Sequence, residues 1–443
     1  MSRFLFDREE RSAFLLKGYA GTGKTSLVSA LIGTLPQLRV NCVLLAPTGR
    51  AAKVLSNYSH RPAYTIHKKI YMTATDATGA VRTVRAINRH AYTLFIVDEA
   101  SMIGLEASAT RHSLLEDLVE YVYGGNHCRL MLIGDTAQLP PVGQSESPAL
   151  DARYLTASFG LTVTQGELTE VVRQQRQSGI LSNATSLRGK ISSLGEDDEA
   201  PLPLFSPAPD VVRLSGEDLM DTLFREYDTY ALEDVVVVTR SNKRANLFNQ
   251  GIRNSVLFRE EEVNAGDYLM VVKNNYYWLD DDSTIGFIAN GDIVEVLSVR
   301  NVQELYGFRF ADATLRFVDY PDEQPHDCKL MLSTLYSESP SLTSDEQNRL
   351  FNTVMEDYAD LPHKADRMRE LKQNPYYNAL QVKFAYALTC HKTQGGQWRT
   401  VIVDQGFLPP DMPLDREFMR WLYTAFTRAT EKVYLLNFDS RFY

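Results

Sequence analysis

The chain has 443 residues, 44% of them hydrophobic and 23% charged, enough for more than one core of ordinary globular composition. A formal net charge of −10 argues against a broad basic surface of the kind that coats nucleic acid, and leaves room only for a narrow basic groove. No apolar run approaches the roughly 20 residues that span a bilayer, the start lacks a signal-peptide core, and Cys42, Cys128, Cys328 and Cys390 are isolated, so a cytoplasmic protein without disulfides or a zinc knuckle is expected.

The first predicted element is a buried strand, AFLLK at 13–17, running into GYAGTGKT. The next stretch, TSLVSALIGTL, has apolar positions at helical spacing and stops at Pro36. CVLLA at 42–46, TLFIVD at 93–98 and RLMLIGD at 129–135 are further buried-strand runs. Strands alternating with helices predict a parallel sheet covered on both faces. Residues 195–210 (GEDDEAPLPLFSPAPD) form an acidic, Pro-rich linker. VVVVTR at 235–240, TVIVD at 400–404 and KVYLLNF at 432–438, with helical NKRANLFNQGIR, predict a second α/β unit. Between its halves, Ala265 to about Asp319 alternates in the manner of a small antiparallel barrel, and residues 343–373 are charged and helix-prone. The expected domains are 1–160, 161–262 with 384–443, and an inserted module at 263–383.

Gly18-Tyr-Ala-Gly21-Thr22-Gly23-Lys24-Thr25 matches the G-x-x-x-x-G-K-[ST] loop in its strand-to-helix context. The glycines let backbone N–H groups wrap phosphates at a helix N-terminus. Lys24 reaches the β/γ-phosphates and the Thr25 hydroxyl binds Mg²⁺. In FIVDEAS, Asp98 at a strand end is placed for Mg²⁺, and Glu99 for orienting and deprotonating a water. In LIGDTAQLPPVG, Asp135 and Gln138 lie on a loop at a third strand end, where Gln138 can sense a γ-phosphate or simply sit in a polar turn. Arg173 in ELTEVVRQQRQ and Arg428, on a predicted helix in LYTAFTRATEKVYLL, are candidate phosphate-gripping arginines of the second unit. ALTCHKTQGGQW at 387–398 has no nucleophile–base set or metal-ligand set of its own.

In this order the motifs resemble those of superfamily 1 helicases, most closely the RecD-like and Dda-like 5′-to-3′ branch, superfamily 1B. GYAGTGKT looks like motif I, APTGRAA (46–52) like motif Ia and TIH (65–67) like the segment after it. VDEAS looks like motif II, GDTAQLPPVG like motif III and LTEVVRQ like motif IV. LTCHKTQGGQW is similar to motif V and YTAFTRA to motif VI. The resemblance implies two RecA-like domains with ATP and Mg²⁺ between them. Lys24, Thr25, Asp98, Glu99 and Gln138 come from the first domain and Arg173 and Arg428 from the second, with Gln394 and Gly395 near the ATP cleft. It implies single-stranded DNA across both domains, touched by Pro47, Thr48, Thr65, His67, Thr389, His391 and Lys392. It also implies a strand-splitting pin within 68–92, an SH3-like inserted barrel, an arm similar to the tower of Dda-like enzymes, and a chain working as a monomer.

One departure stands out. Such helicases carry an adenine-reading Gln before the P-loop, whereas the first glutamine here is Gln37, after it; either the N-terminus is trimmed or adenine is held otherwise. An RNA helicase, a P-loop switch or adaptor that does not translocate, and a metabolite kinase are the competing readings, the last leaving the second α/β unit unexplained. No nuclease signature is present.

Overall fold

The computed structural model describes every residue except 1, 7–8, 76–80, 107–111, 171–177, 196–197, 280–282, 284, 286 and 410–412, and the backbone alone at 2–3, 73–75 and 81–83. In the first domain, β1 (Ser12–Gly18), β2 (Asn41–Ala46), β3 (Ala63–Thr65), the hairpin strands β4 (Tyr71–Thr75) and β5 (Val81–Arg85), β6 (Thr93–Val97), β7 (Arg129–Gly134) and β8 (Thr162–Leu168) follow in order. All but the hairpin join one parallel sheet, ordered β3-β2-β6-β7-β1-β8. Alternate residues of β1 feed opposite cores. Phe14 and Leu16 pack with Val28 and Ile32 of helix Lys24–Thr34 and Leu55 of helix Gly49–Ser59, while Ala13 and Leu15 join Leu118 and Val122 of helix Leu114–Tyr123. Burial on both faces is why these strands read as unbroken apolar runs.

Two expectations are corrected here. The first domain does not end at 160, because β8 pairs in parallel with β1 from Ser12↔Thr162 to Gly18↔Leu168. Its sequence, TVTQGEL, is mostly exposed along the sheet edge, so it carries no apolar run to reveal it. The barrel does not end near Asp319, since two further strands close it.

The second sheet is also parallel, ordered β16-β10-β17-β18-β9. Its members are β9 (Val211–Leu214), β10 (Val235–Thr239), β16 (Ala387–Thr389), β17 (Trp398–Asp404) and β18 (Ala429–Leu436). Between β10 and β16 the chain leaves to build a closed barrel of β11 (Tyr268–Val271), β12 (Ile293–Leu305), β13 (Phe308–Phe317), β14 (His326–Met331) and β15 (Leu380–Phe384). The turn Tyr306-Gly307 has φ of 55° and 73°, which suits a two-residue hairpin joining β12 to β13. Strands β14 and β15 run parallel, which demands a crossover connection. Helices Ser344–Glu356 and Lys364–Gln373 supply it, the first opened by a Thr343/Glu346 capping box, and Leu350, Val354 and Leu371 pack on Phe308 and Phe310. Among the described residues no helix is long and apolar enough to cross a membrane.

Candidate nucleotide cleft and strand track

A cleft of about 290 Å³ lies between the two sheets, lined by Gly21, Gly23, Lys24, Thr25, Asp98, Glu99, Asp135 and Gln138 from one side and Gln397, Thr427 and Arg428 from the other. Each first-domain group sits where a parallel strand ends. β1 runs into the P-loop, β6 into Asp98 and Glu99, and β7 into Asp135. Gly21 and Gly23 have φ of 73° and 82°, a region that glycine enters without strain, so the loop can turn its amides inward. The Lys24 ammonium donates to Gly18 O at 2.5 Å and lies 3.8 Å from Asp135 Oδ2.

Asp98 is held by two donors, the Tyr58 hydroxyl on Oδ2 at 2.6 Å and the Glu99 amide on Oδ1 at 2.9 Å. Desolvation in the cleft pushes the Glu99 carboxyl above its usual range, with the charge of Arg428 opposing, which moves it toward a group that accepts a proton at neutral pH. Gln138 is buried and its Oε1 accepts no hydrogen bond from the described residues. Arg428 lies in the turn past helix Arg416–Phe426 rather than on it, where the chain enters β18. There Thr424 O, Gly396 O and Thr427 Oγ1 accept its guanidinium hydrogen bonds at 3.1, 3.1 and 3.2 Å. Arg173 lies outside the described residues, as does the tip expected for the pin.

The second domain grips the loop after β7 directly. Thr424 Oγ1 accepts from Leu139 N at 2.9 Å, Gln394 Nε2 donates to Leu139 O at 2.7 Å, and Arg420 reaches Glu146 at 2.8 Å. Gln394 is thus bonded to the residue next to Gln138. Gly395 is not among the residues that line the cleft. Its φ is 72°, and a Cβ there would stand 2.8 Å from Ala51 Cβ and 3.3 Å from Thr48 Oγ1, so it is the point where the second domain seats on the first.

That contact joins two groups of candidate strand-binding residues. Pro47 and Thr48 follow β2, and Thr65 ends the neighbouring β3 in register with Ala46. Thr389 ends β16, and His391 and Lys392 occupy the short helical turn after it. Thr48 and Thr65 cap helices by accepting from Ala51 N and Lys68 N at 3.2 and 3.1 Å, which leaves each O–H proton free to donate outward. Burial drives His67 down to about 4, so it is neutral and offers a ring rather than a charge. Burial also lowers His391, with Glu417 opposing, and takes Lys392, beside Lys383, down to about 8. The barrel reaches this track as well: a Cβ on Gly49 would lie 2.3 Å from Asp292 Oδ1, and burial pushes the Asp292 carboxyl up to about 8. Sequence reasoning missed Tyr58, Asp292 and Tyr423, the last a residue of helix Arg416–Phe426 whose hydroxyl accepts from Ala20 N and donates to Asp135 Oδ2. Single tyrosines in amphipathic helices read as core, and Asp292 in a Gly-Asp turn reads as a loop residue.

Residues 6–196 match the family model of the AAA domain, and residues 384–436 match that of the UvrD-like helicase C-terminal domain, with the barrel lying between the two matched segments. These matches support the resemblance to superfamily 1B helicases. The ATP-dependent RecD2 DNA helicase of Deinococcus radiodurans is 28% identical over 305 residues, 66% of this chain. The chain spans only 38% of that protein's length. The ATP-dependent DNA helicase dda of Enterobacteria phage T4 is 24% identical over 426 residues, covering 90% of this chain and 88% of the phage protein. A solved structure of Pif1 helicase from Bacteroides in complex with ADP-AlF3 and ssDNA is 14% identical, with a TM-score of 0.49 over 98% of this chain and 90% of that one.

Proposed function

We propose that this chain is an ATP-dependent DNA helicase that moves 5′ to 3′ along single-stranded DNA and separates duplex ahead of it. The observation that carries the reading is the cleft itself, where P-loop, carboxylates, Gln138 and Arg428 from two domains line one space, connected through Leu139 and Gln394 to a loop bearing Thr389, His391 and Lys392. The relatives named above are helicases by name, two of them ATP-dependent DNA helicases.

In this reading the inward amides of 21–25 and Lys24 hold the phosphates. The donor set also fits Mg²⁺, which favours a few hard protein oxygens alongside phosphate and water. Thr25 Oγ1 and Asp98 would hold it, Asp98 retaining lone pairs beyond those taken by Tyr58 and Glu99. Bound there, the ion neutralises phosphate charge. Glu99 orients the attacking water and takes its proton, while Gln138 and Arg428, with Arg173, grip the γ-phosphate end. When that phosphate leaves, Leu139 shifts against Gln394 and Thr424, and the grip of Thr389, His391 and Lys392 changes relative to that of Pro47, Thr48, Thr65 and His67. The antiparallel strands β4 and β5 fit a pin that enters the fork. A cytoplasmic monomer is the working form in this proposal.

Duplexes with only a 5′ or only a 3′ single-stranded tail test it, with DNA and RNA tails compared. ATP-driven opening of the 5′-tailed DNA is expected, and Lys24→Ala abolishes opening while retaining strand binding. Opening that persists in Lys24→Ala, or hydrolysis indifferent to any single strand, would overturn the reading.

A further inference from the structure

One hydroxyl packed behind the cleft lining belongs to no step described so far. Tyr423 lies on helix Arg416–Phe426 of the second domain, 1% exposed. Its single polar atom reaches into the first domain. There Oη accepts from Ala20 N of the P-loop at 2.8 Å and donates to Asp135 Oδ2 at 2.6 Å. Asp135 Oδ2 is the same oxygen that lies 3.8 Å from the Lys24 ammonium. Its other oxygen, Oδ1, accepts from Ala137 N at 2.9 Å, so the carboxylate is fixed from both sides. Burial, and then the Asp135 charge, push the phenol well above its ordinary value, so it stays protonated and remains a donor throughout the working pH range.

The P-loop lysine must leave whatever holds it before it can meet a phosphate. Gly18 O is one holder, and Asp135 is the other. A carboxylate with an unoccupied lone pair in a dry cleft makes a strong charge-assisted partner for an ammonium. With Tyr423 already donating to that oxygen, the Lys24–Asp135 contact stays long. We propose that Tyr423 is a positioning residue for nucleotide binding: it occupies the Asp135 oxygen that would otherwise capture Lys24, and it pins the P-loop at Ala20, both from the opposite domain. Thr424 on Leu139 and Arg420 on Glu146 keep the same helix seated, so lysine availability is tied to domain docking. The inference rests on the reading of the cleft as a nucleoside triphosphate site.

Equilibrium titration of the full chain with a fluorescent N-methylanthraniloyl ATP tests it, alongside thermal melting. Tyr423→Phe keeps the ring and is expected to weaken binding about tenfold, the scale of one charge-assisted hydrogen bond, with little change in melting temperature. Asp135→Asn removes the competing charge and is expected to tighten binding. Tyr423→Phe should cost less in the Asp135→Asn background than in the wild-type chain, because only the hold on Ala20 is left to lose. Wild-type affinity in Tyr423→Phe, weakened binding in Asp135→Asn, or simple addition of the two effects would overturn the role of Tyr423. Absence of binding by the wild-type chain would overturn the cleft reading and this inference together.

Discussion

Asp267 is a fully buried charge outside the cleft, and its replacement by Asn gives a large, calculable loss. Arg253, 2% exposed, grips it through Nε on Oδ1 and Nη2 on Oδ2 at 3.1 and 3.0 Å. Arg259 adds a contact at 2.6 Å, Tyr386 Oη donates at 2.9 Å, and Asn264 N donates at 2.7 Å. Five donor contacts and two guanidinium charges thus converge on one carboxylate. Removing one partner of such a pair costs about 3–5 kcal/mol, because the remaining charge stays buried and unpaired. Asn keeps one acceptor oxygen, which sets the expectation near about 3 kcal/mol, or roughly a 150-fold shift in the unfolding constant. Urea unfolding followed by circular dichroism and by tryptophan fluorescence measures it. Two probes are needed, since a multidomain chain need not unfold in one step. The node joins the start of the barrel to Tyr386, three residues before Thr389, so strand affinity should fall with stability. A loss under about 1 kcal/mol would show that the two arginines find water or other partners, and would refute the reasoning.

Two further perturbations address the strand track. Gly395→Ala places a methyl 2.8 Å from Ala51 Cβ at a φ of 72°, adding about 1–2 kcal/mol of backbone strain to a steric conflict; fluorescence anisotropy with a labelled oligonucleotide should show at least a roughly fivefold weaker complex, and unchanged affinity would remove the contact from the track. Lys392, lowered by burial to about 8, is cationic at neutral pH and loses its charge as pH rises past 8, so strand affinity should hold below that point and fall above it. Lys383, also lowered by burial to about 8, titrates in the same window, and Lys392→Arg separates the two by flattening the decline if Lys392 touches phosphate. For folding the sign runs the other way: the unfolded chain binds more protons between about pH 8 and the ordinary lysine value near 10.4, so these two lysines make stability rise with pH there.

The core strands of both sheets were legible because burial on two faces leaves apolar runs such as FLL, LFIV and VVVV. The P-loop, Asp98, Glu99 and Gln138 were legible because each follows such a run, and the structure brings them to one cleft. The rest was hidden for identifiable reasons. Edge strand β8 is polar, so the first domain was cut short. Strand β15 closes the barrel far along the chain from β14, and only tertiary pairing reveals it. The resemblance placed Gln394 and Gly395 together near the cleft, and a single peptide step turns one toward Leu139 and the other toward Ala51. The hydroxyls of Tyr58 and Tyr423 act across long sequence separations, and nothing local distinguishes them from core aromatics.

The crossover between β14 and β15 has an engineering consequence. Both ends of the excursion from Leu332 to Ala379 are anchored on adjacent strands, at Leu330↔Leu380 and Met331↔Gln381, so the barrel closes whatever the connection looks like beyond its packed helix faces. Residues 357–363, between the two arm helices, are mostly exposed. They offer a splice point where a fluorescent reporter or an additional recognition module can be grafted without interrupting either sheet.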